Sequence, residues 1–202
     1  MKTLVIGANG QLGSDIVSIF GHDPYYKIIP TVSSEINITS PDTIDAAITK
    51  YLPEMIISTA AFHNVDLCEN NPEKSFGVNA IGVRNLSTAC RQHNITLVHF
   101  STDYVFGEDR NRTTPYTETD TPGPQSVYAV SKLAGEYIMR YLLSKYYIIR
   151  TSGLYGSAQS SSKSDNVINA ILKRTRQRSD IRAVENQILS PTYTVNIAEN
   201  LK

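Results

Sequence analysis

The sequence predicts an α/β protein built on a doubly wound parallel sheet. Short apolar runs occur that suit strands buried on both faces of a sheet. Longer segments with helical spacing of apolar residues separate these runs, and this alternation is typical of a parallel sheet covered by helices. The first apolar run also ends in a cluster of glycines directly before a helical segment.

Five strands and four main helices follow from this pattern. The predicted strands are Lys2–Ile6, Lys27–Thr31, Glu54–Ser58, Ile95–Phe100 and Tyr146–Arg150. The predicted helices cover Ser14 to Phe20, Pro41 to about Tyr51 with Ser40 as N-cap, Pro72 to about His93, and the segment that begins at Ser126. A further short helix is predicted to start with Thr194 as its cap.

Composition limits the function classes. The 202 residues, 41% of them hydrophobic, can form one sizeable core and a small second lobe. The 19 basic and 19 acidic residues balance, which argues against binding to nucleic acid or to a membrane surface. No bilayer-spanning run or secretion signal is apparent, so we expect a cytoplasmic protein. Cys68 and Cys90 lack the spacing of metal or redox sites, so we expect both thiols to be reduced. The four scattered histidines predict no metal site: His22, His63, His93 and His99.

The glycine cluster predicts a nucleotide site. Gly7, Gly10 and Gly13 follow the first strand and precede a helix. In such a turn the first glycine allows the bend, the second lets the backbone approach a pyrophosphate, and the third lets the helix pack on the strand. The free amides at the helix N-terminus then face the phosphates. Val32-Ser33-Ser34, after the second strand, offers neither an acid nor an arginine, so the choice between NADH and NADPH stays open.

Tyr128, Lys132 and Thr102 are the candidate catalytic residues. Tyr128 and Lys132 are four residues apart in a predicted helix and therefore share a face. An ammonium beside a phenol lowers the phenol's pKa, so we expect Tyr128 to exchange a proton near neutral pH. Thr102, at the end of the preceding strand, can bring a second hydroxyl to the same place. We interpret a second match to the same spacing, Tyr141 and Lys145, as structural.

The chain changes character after residue 152. We predict a dinucleotide-binding domain over 1–152 and a partial substrate lobe with a returning segment over 153–202. Residues 157–164 are dense in serine and predict a surface loop. Between Lys163 and Arg182 six basic residues stand against two acidic ones, which favours either an anion-binding lobe or a solvated helix face.

Five motifs occur in one order and together resemble the extended short-chain dehydrogenase/reductases, in particular the dTDP-4-dehydrorhamnose reductases. The motifs are Gly7-x-x-Gly10-Gln-Leu-Gly13, Ser101-Thr-Asp-Tyr-Val-Phe106, Tyr128-Ala-Val-Ser-Lys-Leu-Ala-Gly-Glu136, Arg150-Thr-Ser-Gly-Leu-Tyr-Gly156 and Ser190-Pro-Thr-Tyr193. The resemblance covers essentially the whole chain. It implies a Rossmann-type domain with the start of a small C-terminal substrate lobe, and NADPH- or NADH-dependent reduction of dTDP-4-dehydrorhamnose to dTDP-L-rhamnose, a polysaccharide precursor.

The resemblance also implies residue roles. Tyr128 would donate the proton, Lys132 would hold the nicotinamide ribose, and Thr102 would bind the substrate carbonyl. Asp103 would line the sugar pocket. The implied cofactor-binding residues, besides Tyr128 and Lys132, are Gly7, Gly10, Gln11, Leu12, Gly13, Asn37, Ile38, Ala60, Ala61 and Phe62. No metal-ligating residue is assigned, and both a divalent-ion requirement and homodimer formation stay open.

The chain departs from the family pattern in three places. Asn37 replaces the usual acid of the adenine pair, and Gly153 stands where members often carry tryptophan. Family chains also continue well past residue 202, so we expect this chain to bind the dinucleotide but to turn over poorly. Two alternatives stay open: a nucleotide-sugar epimerase, and a non-catalytic NADP-binding regulatory subunit. A dehydratase is disfavoured because Tyr104 stands where dehydratases carry glutamate.

Overall fold

Five parallel strands form the central sheet of the protein. The computed structural model describes residues 1–109, 111–156, 167–177, 180 and 190–202. The strands are β1 (Lys2–Ile6), β2 (Lys27–Thr31), β3 (Met55–Ser58), β4 (Thr96–Thr102) and β5 (Tyr146–Thr151), in the spatial order β2-β1-β3-β4-β5. This is the order of a doubly wound sheet, whose strand order reverses between β1 and β3. The predicted fold class and the five strands are confirmed.

Helices cover both faces of this sheet. They are α1 (Gln11–Gly21), α2 (Pro41–Tyr51), α3 (Val65–Asn70), α4 (Pro72–Phe76), α5 (Val83–His93), α6 (Val127–Leu142), α7 (Val167–Arg176) and α8 (Thr194–Asn200). A π-helical segment, Gly77–Gly82, joins α4 to α5, and a 3₁₀ turn, Asp103–Val105, follows β4. Two short parallel strands, β6 (Leu154–Tyr155) and β7 (Thr192–Tyr193), form a second sheet.

The core has two layers, one on each face of the sheet. One layer joins the strands to α2, α5 and α6 through residues that include Leu4, Ile48, Leu86, Leu97 and Met139. The other joins them to α1 and α8 through residues that include Val5, Ile16, Phe20, Val98 and Ala198. Since successive strand residues point to opposite faces, continuous apolar strands supply both layers.

The predicted helix from Pro72 to His93 is interrupted. Its middle turn is π-helical, and Asn79 in this turn is bonded outside the helix: its side-chain amide bonds to both the backbone N–H and the carbonyl of Phe62 and to the hydroxyl of Ser131. Such π turns often occur at functional sites. Gly135 of α6 lies directly against this turn, because a Cβ there would lie 2.3 Å from the Asn79 carbonyl oxygen.

Two predicted caps differ from the structure. Ser40 precedes α2 at the N-cap position but its side chain makes no capping hydrogen bond. Thr194 is the first residue of α8 and not its cap, because its hydroxyl donates to the Asp15 carboxylate of α1 and lies 3.1 Å from the carbonyl oxygen of Tyr155. Thr194 thus fastens α8 to α1.

A column of stacked groups, here called the aromatic stack, joins Phe106, Arg112 and Tyr116, which follow β4, to Arg150 of β5. The Arg150 guanidinium lies over the Phe106 ring at 5.0 Å, Phe106 stacks on Tyr116 at 4.4 Å, and Arg112 lies over Tyr116 at 4.2 Å. Arg150 also makes two hydrogen bonds of 3.0 and 2.7 Å to the fully buried Glu136 of α6. The stack therefore connects these residues to the core.

Some predictions concern residues outside the described ones. These are the serine-dense segment 157–164 and the charged residues Lys163, Asp165, Arg178 and Arg182. Of the remaining basic residues, Lys173, Arg174 and Arg176 lie exposed in the last turn of α7. None of the helices in the described part of the chain has the length and apolar character needed to span a bilayer.

Candidate active site

A cavity of about 670 Å³ runs along the carboxyl ends of β1, β3, β4 and β5. This is where doubly wound sheets bind their ligands, at the point where the strand order reverses. Twelve predicted site residues line it: Gly7, Gly10, Gln11, Leu12, Asn37, Ile38, Ala60, Ala61, Thr102, Asp103, Tyr128 and Lys132. The sheet therefore brings together segments that are more than a hundred residues apart in the chain.

The glycine turn is tight and leaves no room for side chains at two of its positions. Gly7 has a φ of +83°, and a Cβ there would lie 2.5 Å from the Thr59 hydroxyl oxygen. A Cβ on Gly13 would lie 2.1 Å from the Gly7 carbonyl oxygen, so only glycine lets α1 approach β1 this closely. Gly10 donates its N–H to the Gly7 carbonyl and closes the turn.

The N-terminus of α1 faces this cavity with its donors available. No side chain caps α1, and its first turn carries no acidic residue. The Gln11 side-chain nitrogen is buried and has no hydrogen-bond partner among the described residues. Ser101 and Ser152 also line the cavity, and their hydroxyls are likewise buried without a hydrogen-bond partner among the described residues. Because buried polar groups are nearly always hydrogen-bonded, these atoms suit a polar ligand.

Thr102 and Tyr128 meet at the other end of the cavity. Thr102 ends β4, donates to Asp103 at 3.2 Å and accepts the Tyr104 N–H at 3.2 Å. Tyr128 is in the first turn of α6, which Ser126 caps by accepting the Ala129 N–H. Its ring packs edge-on against Tyr104, with 6.1 Å between the ring centroids.

The pKa of Tyr128 differs in direction from our expectation. Burial raises it to about 12, and the hydrogen bond with Thr102 offsets only part of the rise. The expected lowering by Lys132 is absent because the lysine amine bonds to β4, 2.6 Å from the Phe100 carbonyl oxygen and 3.1 Å from the Nε2 of His99. Tyr128 is therefore a protonated phenol at neutral pH, suited to giving a proton.

Lys132 is almost fully enclosed, with 2% of its surface exposed. Burial lowers its pKa to about 8, partly opposed by the nearby Glu136 carboxylate. The amine therefore keeps its proton at neutral pH while losing it more readily than an exposed lysine would.

Comparison with known proteins assigns the family. The sequence profile of the RmlD substrate binding domain matches residues 1–202. This chain belongs to that family. It is 34% identical to a dTDP-4-dehydrorhamnose reductase of Aggregatibacter actinomycetemcomitans, over 99% of this chain and 66% of that protein. It is also 34% identical to the spore coat polysaccharide biosynthesis protein SpsK of Bacillus subtilis, over 98% of this chain and 67% of that protein.

A solved structure of the same kind is similar in fold. The crystal structure of dTDP-4-dehydrorhamnose reductase from Bacillus anthracis in complex with NADP superimposes with a TM-score of 0.89 at 33% identity, over 99% of this chain and 68% of that one. The chain thus spans about two thirds of the length of the relatives it matches.

Two predicted cofactor-binding residues do not line the cavity in this member of the RmlD family. Gly13 lies behind the glycine turn, where the lack of a side chain allows α1 to pack against Gly7. Phe62 is held by its backbone to Asn79, and its ring lies beneath the Lys74 amine at 4.9 Å. Asn37 lines the cavity and accepts the Thr39 N–H and hydroxyl, bonds that an aspartate at this place would equally accept.

Sequence reasoning left several residues of the cavity out of the predicted site, among them Ser33, which it had considered only for the choice of cofactor. Ser33 lies just past β2, and His63 follows the small residues after β3; both are exposed and line the cavity. Position after a strand end is the signal that could have found them. His99, which contacts Lys132, carried no local signal, because the contact spans 33 residues.

Proposed function

We propose that this protein reduces dTDP-4-dehydrorhamnose, a 4-keto nucleotide sugar, with NADPH or NADH. The observation that carries the proposal is that Thr102, Tyr128 and Lys132 line one cavity together with the glycine turn. Relatives named dTDP-4-dehydrorhamnose reductase support the sugar, and the complex of one of them with NADP supports the cofactor.

The cavity residues fit a dinucleotide. The open N-terminus of α1 and the tight turn at Gly7 suit the pyrophosphate. The unpartnered Gln11 nitrogen and the Ser101 and Ser152 hydroxyls suit the remaining polar groups. When bound, a reduced nicotinamide supplies a hydride. Ser33, where an acid would select NADH, favours NADPH within this proposal.

The residues near Tyr128 would handle the proton. Tyr128 keeps its proton at neutral pH and would give it to the oxygen that forms at the sugar C4. Thr102 would orient the same oxygen through its hydroxyl, and Asp103 would contact the sugar. Tyr104 follows Asp103 in the cavity wall, and since it is no carboxylate it does not supply the acid that dehydration needs.

The test is Tyr128→Phe, with Tyr141→Phe as control. Tyr141 lies on the same helix but is 88% exposed. NADPH binding is followed by fluorescence, and reduction of dTDP-4-dehydrorhamnose by loss of NADPH absorbance under single-turnover conditions, which reveal slow chemistry. We expect Tyr128→Phe to bind NADPH normally and to react about 10²–10⁴ times more slowly. Full turnover in Tyr128→Phe, or no NADPH binding by the unaltered protein, would contradict the proposal.

Three further parts belong to this proposal. Residues 1–152 would bind the dinucleotide, and residues 153–202 would supply part of a sugar-binding lobe and a segment that returns to the first domain, which the separate β6–β7 sheet and the packing of α8 against α1 support. The buried, unpaired thiols of Cys68 and Cys90 support a cytoplasmic location. The exposed apolar side chains of Val130, Tyr137 and Tyr141 along α6 support a homodimer, which sedimentation would test.

A further inference from the structure

His99 and Lys132 form a buried pair beneath the cavity. His99 lies on β4, three residues before Thr102, and is 1% exposed. Lys132 reaches it from α6 and places its amine 3.1 Å from the imidazole Nε2. The same amine lies 2.6 Å from the carbonyl oxygen of Phe100. A histidine and a lysine are unusual partners, because both side chains can carry positive charge.

The protonation states of the pair follow from the burial. Burial, and then the charge of Lys132, lower the pKa of His99 well below 6.5, so its ring is neutral at neutral pH. A lysine ammonium has donors and no acceptor. The Nε2 atom must therefore accept, and the ring proton must lie on Nδ1. That Nδ1 atom is buried and has no hydrogen-bond partner among the described residues.

The surroundings add no competing charge to the imidazole within the described chain. Its register neighbours are Ser58 of β3 and Ile148 of β5, neither of which titrates near neutral pH. The carboxylate that acts on Lys132 is Glu136, on its own helix, and Arg150 of β5 holds that carboxylate. Tyr128 lies one turn earlier on α6, and because its pKa is raised to about 12 it is neutral at neutral pH.

We propose that His99 is a positioning residue that fixes the Lys132 amine for the dinucleotide site. An ammonium has three N–H groups, and β4 takes two of them, one at His99 and one at Phe100. The third N–H is then left for the cavity, which Lys132 lines beside Tyr128. This inference rests on the proposed function insofar as it gives Lys132 a bound dinucleotide to hold.

Removing the acceptor has two consequences. In His99→Leu the buried amine would keep the Phe100 carbonyl alone, so its charged form would be less favoured and the Lys132 pKa would fall further. Its third N–H would also lose a fixed direction. His99→Gln should restore much of both, because its side-chain oxygen can accept near the Nε2 position. His93→Leu is the matched control, since His93 is an exposed histidine at the end of α5.

The first experiment needs neither cofactor nor turnover. Nitrogen-15 NMR of labelled histidines in the unaltered protein should show the His99 ring proton on Nδ1 between pH 6 and 8. Carbon-13 NMR of labelled lysines should show the Lys132 pKa lower by about one pH unit or more in His99→Leu, and nearly unchanged in His99→Gln and His93→Leu. A proton on Nε2 overturns the proposal without any variant, so a poorly folding His99→Leu does not protect it.

The second experiment links the pair to binding. NADPH affinity should fall as the pH rises and Lys132 loses its proton. In His99→Leu this fall should begin at a lower pH than in the unaltered protein, and His99→Gln should recover the original profile. A purely structural role for His99 would lower affinity equally at every pH and would overturn the inference. Failure of the proposed function looks different: the unaltered protein would then bind no NADPH while the NMR results stay as expected.

Discussion

Burial gives Tyr128 and Lys132 opposite pKa shifts with the same outcome, since both keep their protons at neutral pH. The phenol pKa rises to about 12 and the amine pKa falls to about 8. Desolvation disfavours whichever form is charged, so it acts upward on the tyrosine and downward on the lysine. Within the proposed function, Tyr128 is therefore suited to donate the proton that the reduction of a carbonyl requires.

The lowered pKa of Lys132 predicts a particular dependence of stability on pH. Between about pH 8 and 10.5 the folded protein has released this proton while the unfolded chain retains it, so stability rises with pH in that window. Relative to Lys132→Met, the free energy of unfolding should gain about 2–3 kcal/mol between pH 8 and 10. Urea unfolding of both proteins at the two pH values measures this. A pH-independent difference between them would be inconsistent with the lowered pKa.

Ser33 predicts the cofactor preference at the same scale. An aspartate there would accept hydrogen bonds from a ribose 2′-hydroxyl and repel a 2′-phosphate. Ser33→Asp should weaken NADPH binding by at least about tenfold and strengthen NADH binding. Ser34→Asp is the control, because Ser34 is exposed and lies outside the cavity lining. Equal effects of the two substitutions on fluorescence titrations would reject a specific role for Ser33.

At the scale of elements, the contact between the glycine turn and α1 leaves no room for a side chain. A Cβ on Gly13 would meet the backbone of Gly7, at 2.1 Å from its oxygen and 2.8 Å from its carbon. Backbone atoms at that distance can separate only if the whole helix moves. The N-terminus of α1 would then leave its place at the cavity.

Gly13→Ala should therefore weaken NADPH binding about 100-fold and lower the free energy of unfolding by about 1–3 kcal/mol. Gly21→Ala is the matched control on the same helix, since a Cβ there meets nothing within 4 Å. Calorimetry of NADPH binding and urea unfolding measure the two effects. If both variants bind NADPH equally well, the close approach is not what orders the turn.

How far the sequence predicts these elements depends on the range of the interactions that shape them. Each strand follows from a local apolar run, and the Gly7 turn from local residue type. The π turn does not, because Asn79 reaches Phe62 and Ser131, which are 17 and 52 residues away. The pairing of Lys132 with His99 escaped for the same reason, and with it the direction of the Tyr128 pKa shift.

On the scale of the whole molecule, the last described helix returns to the first. The Thr194 hydroxyl donates to Asp15 across 179 residues of sequence, and a Cβ on Gly156 would lie 2.0 Å from the same threonine oxygen. Ala198 of α8 is buried in the core layer that contains Ile16 and Phe20 of α1. Residues beyond the β6–β7 sheet thus help to support the helix that carries the glycine turn.

Thr194→Val should lower the free energy of unfolding by about 1.5–3 kcal/mol, because it removes a hydrogen bond to a carboxylate. Thr194→Ser keeps the hydroxyl and should lose little. Hydrogen exchange should become faster in α8 first and in α1 to a smaller extent. Unchanged exchange in both helices of Thr194→Val would show that apolar contacts alone fasten α8.

The aromatic stack and the glycine-turn end of the cavity should respond differently to ionic strength. Arg150, the first member of the stack, is held by an ion pair with Glu136, and the two side chains are 13% and 0% exposed, so salt screens this pair weakly. Phosphates bound at the open end of α1 would be held by dipoles near solvent, which dissolved ions weaken more. Concentrated salt should thus release a nucleotide while Phe106 and Tyr116 stay stacked on each other.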